Sequence, residues 1–139
     1  MGSNKQQFRL VLSTIDDYTT ISSVDCSTCN VSNKYNSLLS TTKMNKTQSF
    51  FYPLTQFSFI QDSCLIQTQK INNGSTENNL INISKLKIKV LENDFTGFLN
   101  SDSSDGILGL NYADGTELPN SNFVRELYNE GHIYHPVFH

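Results

Sequence analysis

The sequence predicts an all-β domain with one or two short helices. Short runs of alternating apolar and polar residues recur along the chain, for example at residues 8–12 and 81–91, and this alternation is typical of half-buried strands. Stretches rich in Asn, Ser and Thr separate these runs and favour turns and loops. Helical spacing of apolar residues stands out at residues 123–128. A length of 139 residues suits one modest core, so we predict a single domain over residues 1–139.

The first two strands are predicted near the start of the chain. Phe8, Leu10 and Leu12 share one face of an alternating segment, which indicates a half-buried strand. Residues 18–24 are rich in Thr, Ile and Val, and these side chains favour a strand. Residues 26–44 are rich in Ser, Asn and Thr, so we predict a loop with room for one helical turn.

An aromatic segment follows at residues 48–60. Pro53 interrupts it, and because proline donates no hydrogen bond to a ladder, we predict two strands joined by a turn. Residues 64–71 form another predicted strand, and residues 72–74 (Asn-Asn-Gly) form a turn.

The clearest predicted strand lies at residues 81–91. Its apolar side chains alternate with Lys85, Lys87 and Lys89. We predict that the apolar face packs in the core and that the three ammonium groups point into water. A phosphate-binding stripe is the alternative interpretation of these lysines.

The one convincing helix follows Asn120 and Ser121, either of which is a good N-cap residue. Gly131 is a good C′ residue just beyond the last helical turn. Between them, four apolar side chains share one helix face: Phe123, Val124, Leu127 and Tyr128.

Composition argues against several classes of partner. The net charge is −3 and the ten Lys and Arg residues are dispersed, which argues against nucleic acid as the main ligand. No apolar run approaches the roughly 18 residues of a membrane span. The polar start of the chain lacks the apolar core of a secretory signal. Neither a Gly-rich phosphate loop nor a Gly-x-Ser-x-Gly elbow occurs, and we predict no cofactor.

Three cysteines allow at most one intrachain disulfide. Cys26 and Cys29 form a Cys-x-x-Cys pair that could bind zinc together with Cys64 or a histidine. A second pair at finger-like spacing is absent, so a disulfide or two free thiols is the simpler prediction, and we predict no metal site. The three histidines cluster near the end of the chain, which favours a solvent-facing tail: His132, His135 and His139.

The most specific motif is Asp-Gly-Ile-Leu-Gly-Leu at residues 105–110. It resembles the Asp-Gly-Ile-Leu-Gly-Leu-Gly signature near the end of the first lobe of pepsin-like aspartic peptidases. Residues 8–23 resemble the family's first active-site strand and the strand that follows it, and residues 123–138 resemble its closing helix with Pro-Val-Phe. The resemblance covers nearly the whole chain and implies a single N-terminal lobe of the double-psi barrel fold.

The resemblance also implies where a catalytic site would lie. The family's Asp-Thr-Gly-Ser stands here as Ser13-Thr14-Ile15-Asp16, so a hydroxyl occupies the position of the catalytic carboxylate. A β-branched residue such as Ile15 is disfavoured where a loop needs positive φ. No Asp-Thr-Gly or Asp-Ser-Gly occurs elsewhere in the chain to supply the second carboxylate.

Three further positions follow from the same resemblance. Tyr52 aligns near the tyrosine of the family's flap, the hairpin that covers its active site. Thr20 stands where the family has an aromatic residue that steadies this flap. Cys26 and Cys29 stand where the family closes a small disulfide loop. Asp16 or Asp17 could replace the missing carboxylate only across roughly 7–14 Å of extended chain, and we expect them instead to accept backbone hydrogen bonds in the turn.

These residues predict a catalytically inactive, aspartic-peptidase-like domain that serves as a structural or interaction subunit of a larger protein assembly. Other protein subunits are the expected partners, because an isolated lobe exposes apolar surface and strand edges. Two alternatives remain open. One is a fragment of an aspartic endopeptidase whose second lobe is on another chain or missing, and the other is a peptide-binding module. The family suggests a secretory or lysosomal location.

Overall fold

The computed structural model describes residues 1–72, 74–96, 104–111 and 123–134. In these residues the chain forms six strands, one short 3-10 helix at Ser37–Leu39 and one α-helix, α1, at Phe123–Asn129. The strands are β1 (Leu10–Ser13), β2 (Thr19–Ser22), β3 (Phe50–Tyr52), β4 (Thr55–Asn72), β5 (Ser75–Asp94) and β6 (Gly106–Gly109). They form one mixed sheet in the order β1-β6-β2-β5-β4-β3, which confirms the predicted all-β class.

Two hairpins build one half of the sheet. The predicted turn at Pro53 joins β3 to β4, where Tyr52 pairs with Thr55. The predicted turn before Ser75 joins β4 to β5, where Asn72 pairs with Ser75, and Gly74 has the positive φ of 81° that such a turn needs.

The strand predicted at residues 64–71 is only the second half of β4. Strand pairing continues through Asp62, with register shifts at Gln56/Phe57 and at Asp62/Cys64. The polar residues 61–63, which separate the predicted strand at residues 64–71 from the aromatic segment before it, therefore lie within one long strand. The reason is that Asp62 is buried and hydrogen-bonded by its own partners, so it does not end the ladder.

Parallel pairing places the 105–110 motif beside the loop at Ser13. β6 lies between β1 and β2; it is parallel to β1, with Gly109 opposite Ser13, and antiparallel to β2, with Ile107 opposite Thr20. β2 in turn runs parallel to β5, where Thr20 pairs with Lys89. The ends of β1, β6 and β2 and the middle of β5 thus meet in one region of the sheet.

The main core packs beneath the long hairpin and receives the helix. Its buried side chains are Ile21, Tyr35, Ile60, Cys64, Ile83, Leu86, Ile88 and Val90, and Phe123 and Leu127 of α1 pack against them. Leu86, Ile88 and Val90 form the apolar face that the alternation of β5 predicts. Burial of such side chains is the main driving force for this fold.

The opposite face of β5 differs from its prediction at one lysine. Lys85 is exposed and Lys89 is half-buried, but Lys87 is only 5% exposed, so the prediction of three solvated lysines is wrong there. Phe59 and Tyr18 cover this face; the Lys87 Nζ lies 4.5 Å from the centre of the Phe59 ring and 5.3 Å from that of Tyr18. Attraction between the ammonium group and the ring faces offsets part of the cost of burial.

A buried hydrogen-bond network anchors the residues 35–44 segment to β4. The Asp62 carboxylate accepts hydrogen bonds from the Tyr35 hydroxyl at 2.5 Å, the Thr42 hydroxyl at 2.6 Å and its neighbour Ser63 N at 2.8 Å. Burial alone raises the pKa of Asp62, but these donors outweigh it and the net pKa is lowered. Burial and the same hydrogen bond raise the pKa of Tyr35.

The helix ends as predicted and is fastened to β5. Gly131 has φ of 79°, and the His132 amide donates to Leu127 O while the Gly131 amide donates to Tyr128 O. This is the pairing of a Schellman cap with glycine at C′. The Glu130 carboxylate accepts from the backbone amide and hydroxyl of Ser84. The predicted N-cap residues, Asn120 and Ser121, lie outside the described residues.

Candidate functional site

The loop that follows β1 is held by the segment that follows β6. The Leu110 amide donates to Ser13 O at 2.8 Å, and the Asn111 amide donates to Asp16 O at 3.1 Å. The Asn111 side-chain amide donates to the Asp17 carboxylate at 2.7 Å. The loop at residues 13–17 therefore has a fixed position beside the glycine-containing strand that resembled a family signature.

Ser13 and Asp16 form a direct side-chain pair within this loop. The Ser13 hydroxyl donates to Asp16 Oδ2 at 2.5 Å, and its oxygen accepts from the amides of Ile15 at 3.4 Å and Asp16 at 3.3 Å. The chain turns back after Thr14, which is exposed. The separation expected for an extended chain therefore does not apply, and the Asp16 carboxylate is in direct contact with the Ser13 hydroxyl.

Ile15 stands at the outside of the same turn. Its side chain is 84% exposed, and among the described residues the non-glycine residues with positive φ are Lys5 and Asn45. Ile15 therefore has the negative φ that a β-branched residue prefers. A loop built around a glycine in the left-handed region would have a different backbone at this residue.

Lys89 contributes a positive charge to the surroundings of Asp16. Its Nζ lies 4.2 Å from the centre of the Phe57 ring. Burial lowers the pKa of Lys89, and the negative charge of Asp16 opposes that shift. The site thus contains a hydroxyl and a carboxylate in direct contact, and the half-buried Lys89 lies on β5, where it pairs with Thr20. Alternation in β5 gave no signal that the Lys89 ammonium group would lie over Phe57, because Phe57 comes from a distant part of the sequence.

Tyr52, which the family resemblance aligned near the flap tyrosine, packs within its own hairpin. Its ring stacks on Phe57 with centroids 5.6 Å apart and an interplanar angle of 6°. Phe50 stacks on Phe57 from the neighbouring position at 5.6 Å. Thr20 is buried, and its hydroxyl donates to Tyr18 O at 3.4 Å. The described contacts of Tyr52 are thus aromatic, and those of Thr20 are local.

Cys26 and Cys29 are joined by a disulfide, with their Cα atoms 5.4 Å apart. Both are buried in a second apolar cluster with Phe57 and Leu91, so this small loop supports the base of the hairpin. Cys64 is a free, buried thiol whose pKa is raised by burial. Within the described residues, no group of three His, Cys, Asp or Glu side chains could hold a metal ion; His135 and His139 lie outside them.

Asp105, at the start of the glycine motif, ties three segments together. It is fully buried and accepts hydrogen bonds from the Arg9 amide at 2.9 Å, the Asn33 amide at 3.1 Å and the Asn33 side chain at 2.9 Å. Arg9 Nε lies 3.7 Å from the same carboxylate. Burial on its own raises the pKa of Asp105, but these donors and the Arg9 charge produce a net lowering. Asn33 was not recognised as its partner from the sequence.

Comparison with known proteins agrees with this architecture. The described helices lack the length and apolar content that crossing a bilayer would need. No match was found among curated proteins. A family model described as eukaryotic aspartyl protease matches residues 1–139. This match spans every element described above, and the chain therefore belongs to the eukaryotic aspartyl protease family.

Proposed function

We propose that this chain is a catalytically inactive aspartyl-protease lobe that serves as a structural or interaction subunit of a larger protein assembly. The proposal rests on Ser13, which the family resemblance aligns with the catalytic carboxylate, and on the observation that the Ser13 hydroxyl donates its hydrogen to Asp16. A serine hydroxyl is a poor base toward water, because it is neutral and cannot take the place of an ionised carboxylate.

Hydrolysis by this family's chemistry needs two carboxylates that share a proton around one water molecule. Asp16 contributes a carboxylate, but one oxygen of that group already accepts the Ser13 hydrogen. No Asp-Thr-Gly or Asp-Ser-Gly in the sequence supplies a second carboxylate of the family type.

The surface around this loop supports the role in an assembly. Val11, Leu12 and Ile15 are exposed large apolar residues on β1 and the loop after it. β1 is the end strand of the sheet among the described residues. Exposed apolar side chains along a strand edge favour association with another protein.

One observation favours a second candidate function. Asp16 lies 2.5 Å from the Ser13 hydroxyl, so its carboxylate could replace the family aspartate if a partner chain provided the second one. The chain would then be one part of an aspartic endopeptidase. The two candidates differ in whether Asp16 touches a reacting water molecule.

A peptidase assay tests the chemistry. We expect the full chain, alone and in its native assembly, to cleave no denatured protein substrate between pH 3 and 7. The background for this assay is the rate of an Asp16→Asn variant. The reason is that losing a member of the catalytic pair costs on the order of 10⁴-fold in rate. Ser13→Ala is the matched control. Acid cleavage that is lost in Asp16→Asn and kept in Ser13→Ala would support the endopeptidase and contradict our proposal.

An assembly measurement tests the interaction role. In a native extract, the tagged chain is expected to sediment well ahead of a monomer, and Leu12→Asp combined with Ile15→Asp is expected to return it to the monomer position. These substitutions would place unpaired carboxylates in the interface, and because burying such charges is unfavourable, the chain should dissociate from its partner. Leu38→Asp, also at an exposed leucine, should leave sedimentation unchanged. Monomeric sedimentation of the unmodified chain would rule out the proposed subunit role.

A further inference from the structure

A groove of about 670 Å³ lies between two strand edges of the sheet. One wall consists of residues 8–10, where β1 begins, and the other of residues 64–67 on β4. β1 is the end strand of the described sheet, and β3 pairs with β4 only at residues 55–57. Among the described residues, no strand therefore pairs with either edge along this groove.

The edge of β1 presents backbone hydrogen-bonding groups on the side away from β6. Arg9 O and Ser13 O accept hydrogen bonds from amides of the β6 segment. Because the backbone groups of successive residues point to opposite edges of a strand, the amide and carbonyl of Leu10 point away from β6. A further strand could pair with them there.

The edge of β4 is similar. Ser63 stands at a register shift and has no partner in β5, and its carbonyl accepts a hydrogen bond from the Gly2 amide at 2.8 Å. By alternation, the backbone groups of Leu65 and Gln67 point to the same edge as those of Ser63. Such an edge is a template for pairing with another chain.

The groove has an apolar floor and a cationic rim. The side chains of the floor are Phe8, Leu10, Ile66, Leu80 and Leu108. Lys5 and Arg9 line the rim, and Arg9 also contacts the buried Asp105. The described residues that line the groove include no Asp or Glu. An occupant that carries both apolar and acidic side chains therefore complements the floor and the rim together.

These features distinguish between occupants. A small apolar molecule would leave the backbone edges unpaired, and a helix has already used its own backbone groups. A second copy that entered through its own β1 would bring Lys5 and Arg9 but no carboxylate, because residues 5–13 contain no Asp or Glu. A foreign strand in which apolar and acidic side chains alternate satisfies the floor, the rim and the edges at once.

We propose that the groove binds an extended acidic strand of a partner subunit. The strand adds to the free edge of β1, its apolar side chains lie on the floor, and its carboxylates meet Lys5 and Arg9. This inference rests on the proposed function, because it names the means by which the partner is held. A peptide assay separates the two, since it measures the groove without the assembly.

The probe is a fluorescein-labelled, seven-residue peptide of alternating Val and Glu. Fluorescence anisotropy is expected to show saturable binding to the full chain, and a peptide of alternating Val and Lys should bind about tenfold more weakly or worse. A Val–Glu peptide that is N-methylated at alternate residues keeps its side chains but loses the donors that strand pairing needs, so it should also lose about tenfold or more. Absence of saturable binding, or equal binding of the three peptides, would overturn the proposal.

Variants of the chain locate the bound peptide. Leu80→Asp is expected to weaken binding about tenfold or more, since burying a leucine side chain contributes about one to two powers of ten. Leu39→Asp, also at an exposed leucine, is the matched control and should leave binding within about twofold. Lys5→Glu should weaken binding about threefold or more, and Lys43→Glu, at an exposed lysine outside the groove, should not. Circular dichroism establishes that the variants are folded. Equal effects of the groove and control variants would place the peptide elsewhere and contradict the proposal.

Cys64 supplies a second readout within the groove. It lines the groove and is the free cysteine of the chain, because Cys26 and Cys29 form the disulfide. The Val–Glu peptide is expected to slow alkylation of Cys64 by iodoacetamide, measured by mass spectrometry, and the Val–Lys peptide should not. Alkylation at an unchanged rate under saturating peptide would contradict binding in this groove.

Sedimentation separates a failure of this inference from a failure of the subunit role. In a native extract, an excess of the Val–Glu peptide is expected to move the tagged chain from the assembly to the monomer position. An assembly that the peptide leaves intact would overturn the inference and leave the subunit role standing. A purified chain that forms a dimer dissociated by the peptide would assign the groove to a second copy and also overturn it. A chain that is monomeric in the extract but binds the peptide would contradict the subunit role and support the groove as a strand-binding site.

Discussion

Replacing Asp105 by alanine is expected to lower the free energy of unfolding by about 3–5 kcal/mol. The substitution leaves the Arg9 amide and both donors of Asn33 without the acceptor that the fully buried Asp105 carboxylate provides. It also removes the partner of the Arg9 guanidinium. Urea denaturation followed by circular dichroism measures the loss.

Asp17→Ala is the matched control for this prediction. Asp17 is an exposed aspartate whose carboxylate accepts a hydrogen bond from the Asn111 side chain, so its removal should cost less than about 1 kcal/mol. Asp105→Asn should fall between the two, because an amide keeps one acceptor oxygen but presents an NH₂ group to one of the two Asn33 donors, which bond to different oxygens of Asp105. A loss in Asp105→Ala no greater than that in Asp17→Ala would contradict the role assigned to this carboxylate.

The same carboxylate gives an acid dependence with a definite sign. The pKa of Asp105 is lowered in the folded chain, so the unfolded chain binds its proton at a higher pH, near 3.9. The stabilisation is therefore fully present above that value and is lost as the pH falls through the folded pKa. Asp62, whose pKa is also lowered, adds to the same trend. Asp105→Asn should therefore lose less stability between pH 5 and 3 than the unmodified chain does.

Local sequence patterns were sufficient to predict several strands, the two hairpin turns and the end of the helix. Period-two alternation predicted the apolar face of β5, Pro53 and Gly74 marked the two hairpin turns, and Gly131 marked the end of α1. Each of these signals depends on residues that are neighbours in the sequence, and each reports a backbone requirement that tertiary contacts do not change. Glycine at positive φ is the clearest example.

Contacts between distant segments could not be predicted in this way. Lys87 looks like a solvated lysine until Phe59 and Tyr18 are placed over it, and Asp62 looks like a strand breaker until Tyr35 reaches it. The family resemblance located Ser13, but the return of Asp16 onto its hydroxyl depends on the turn after Thr14. The sequence therefore singled out Ser13 and Asp16 but did not predict that their side chains touch.

Gly109 controls whether this loop and the glycine motif can approach each other. A Cβ added at Gly109 would lie 2.6 Å from Tyr18 O and 2.7 Å from Asp16 O. Both are backbone atoms, which cannot move aside as a side chain does. Accommodating a methyl group would pull β6 away from the loop and weaken the hydrogen bonds from Leu110 to Ser13 and from Asn111 to Asp16.

We therefore expect Gly109→Ala to destabilise the chain by more than about 3 kcal/mol, at the severe end of single substitutions. Gly131→Ala is the matched comparison: Gly131 has φ of 79° and open space around its Cα, so alanine there meets only the left-handed backbone penalty of about 1–2 kcal/mol. Urea midpoints of the two variants separate steric exclusion from backbone preference. Equal losses would mean that β6 can withdraw from the loop at little cost, and the fixed position of Ser13 and Asp16 on which the proposed inactivity rests would no longer hold.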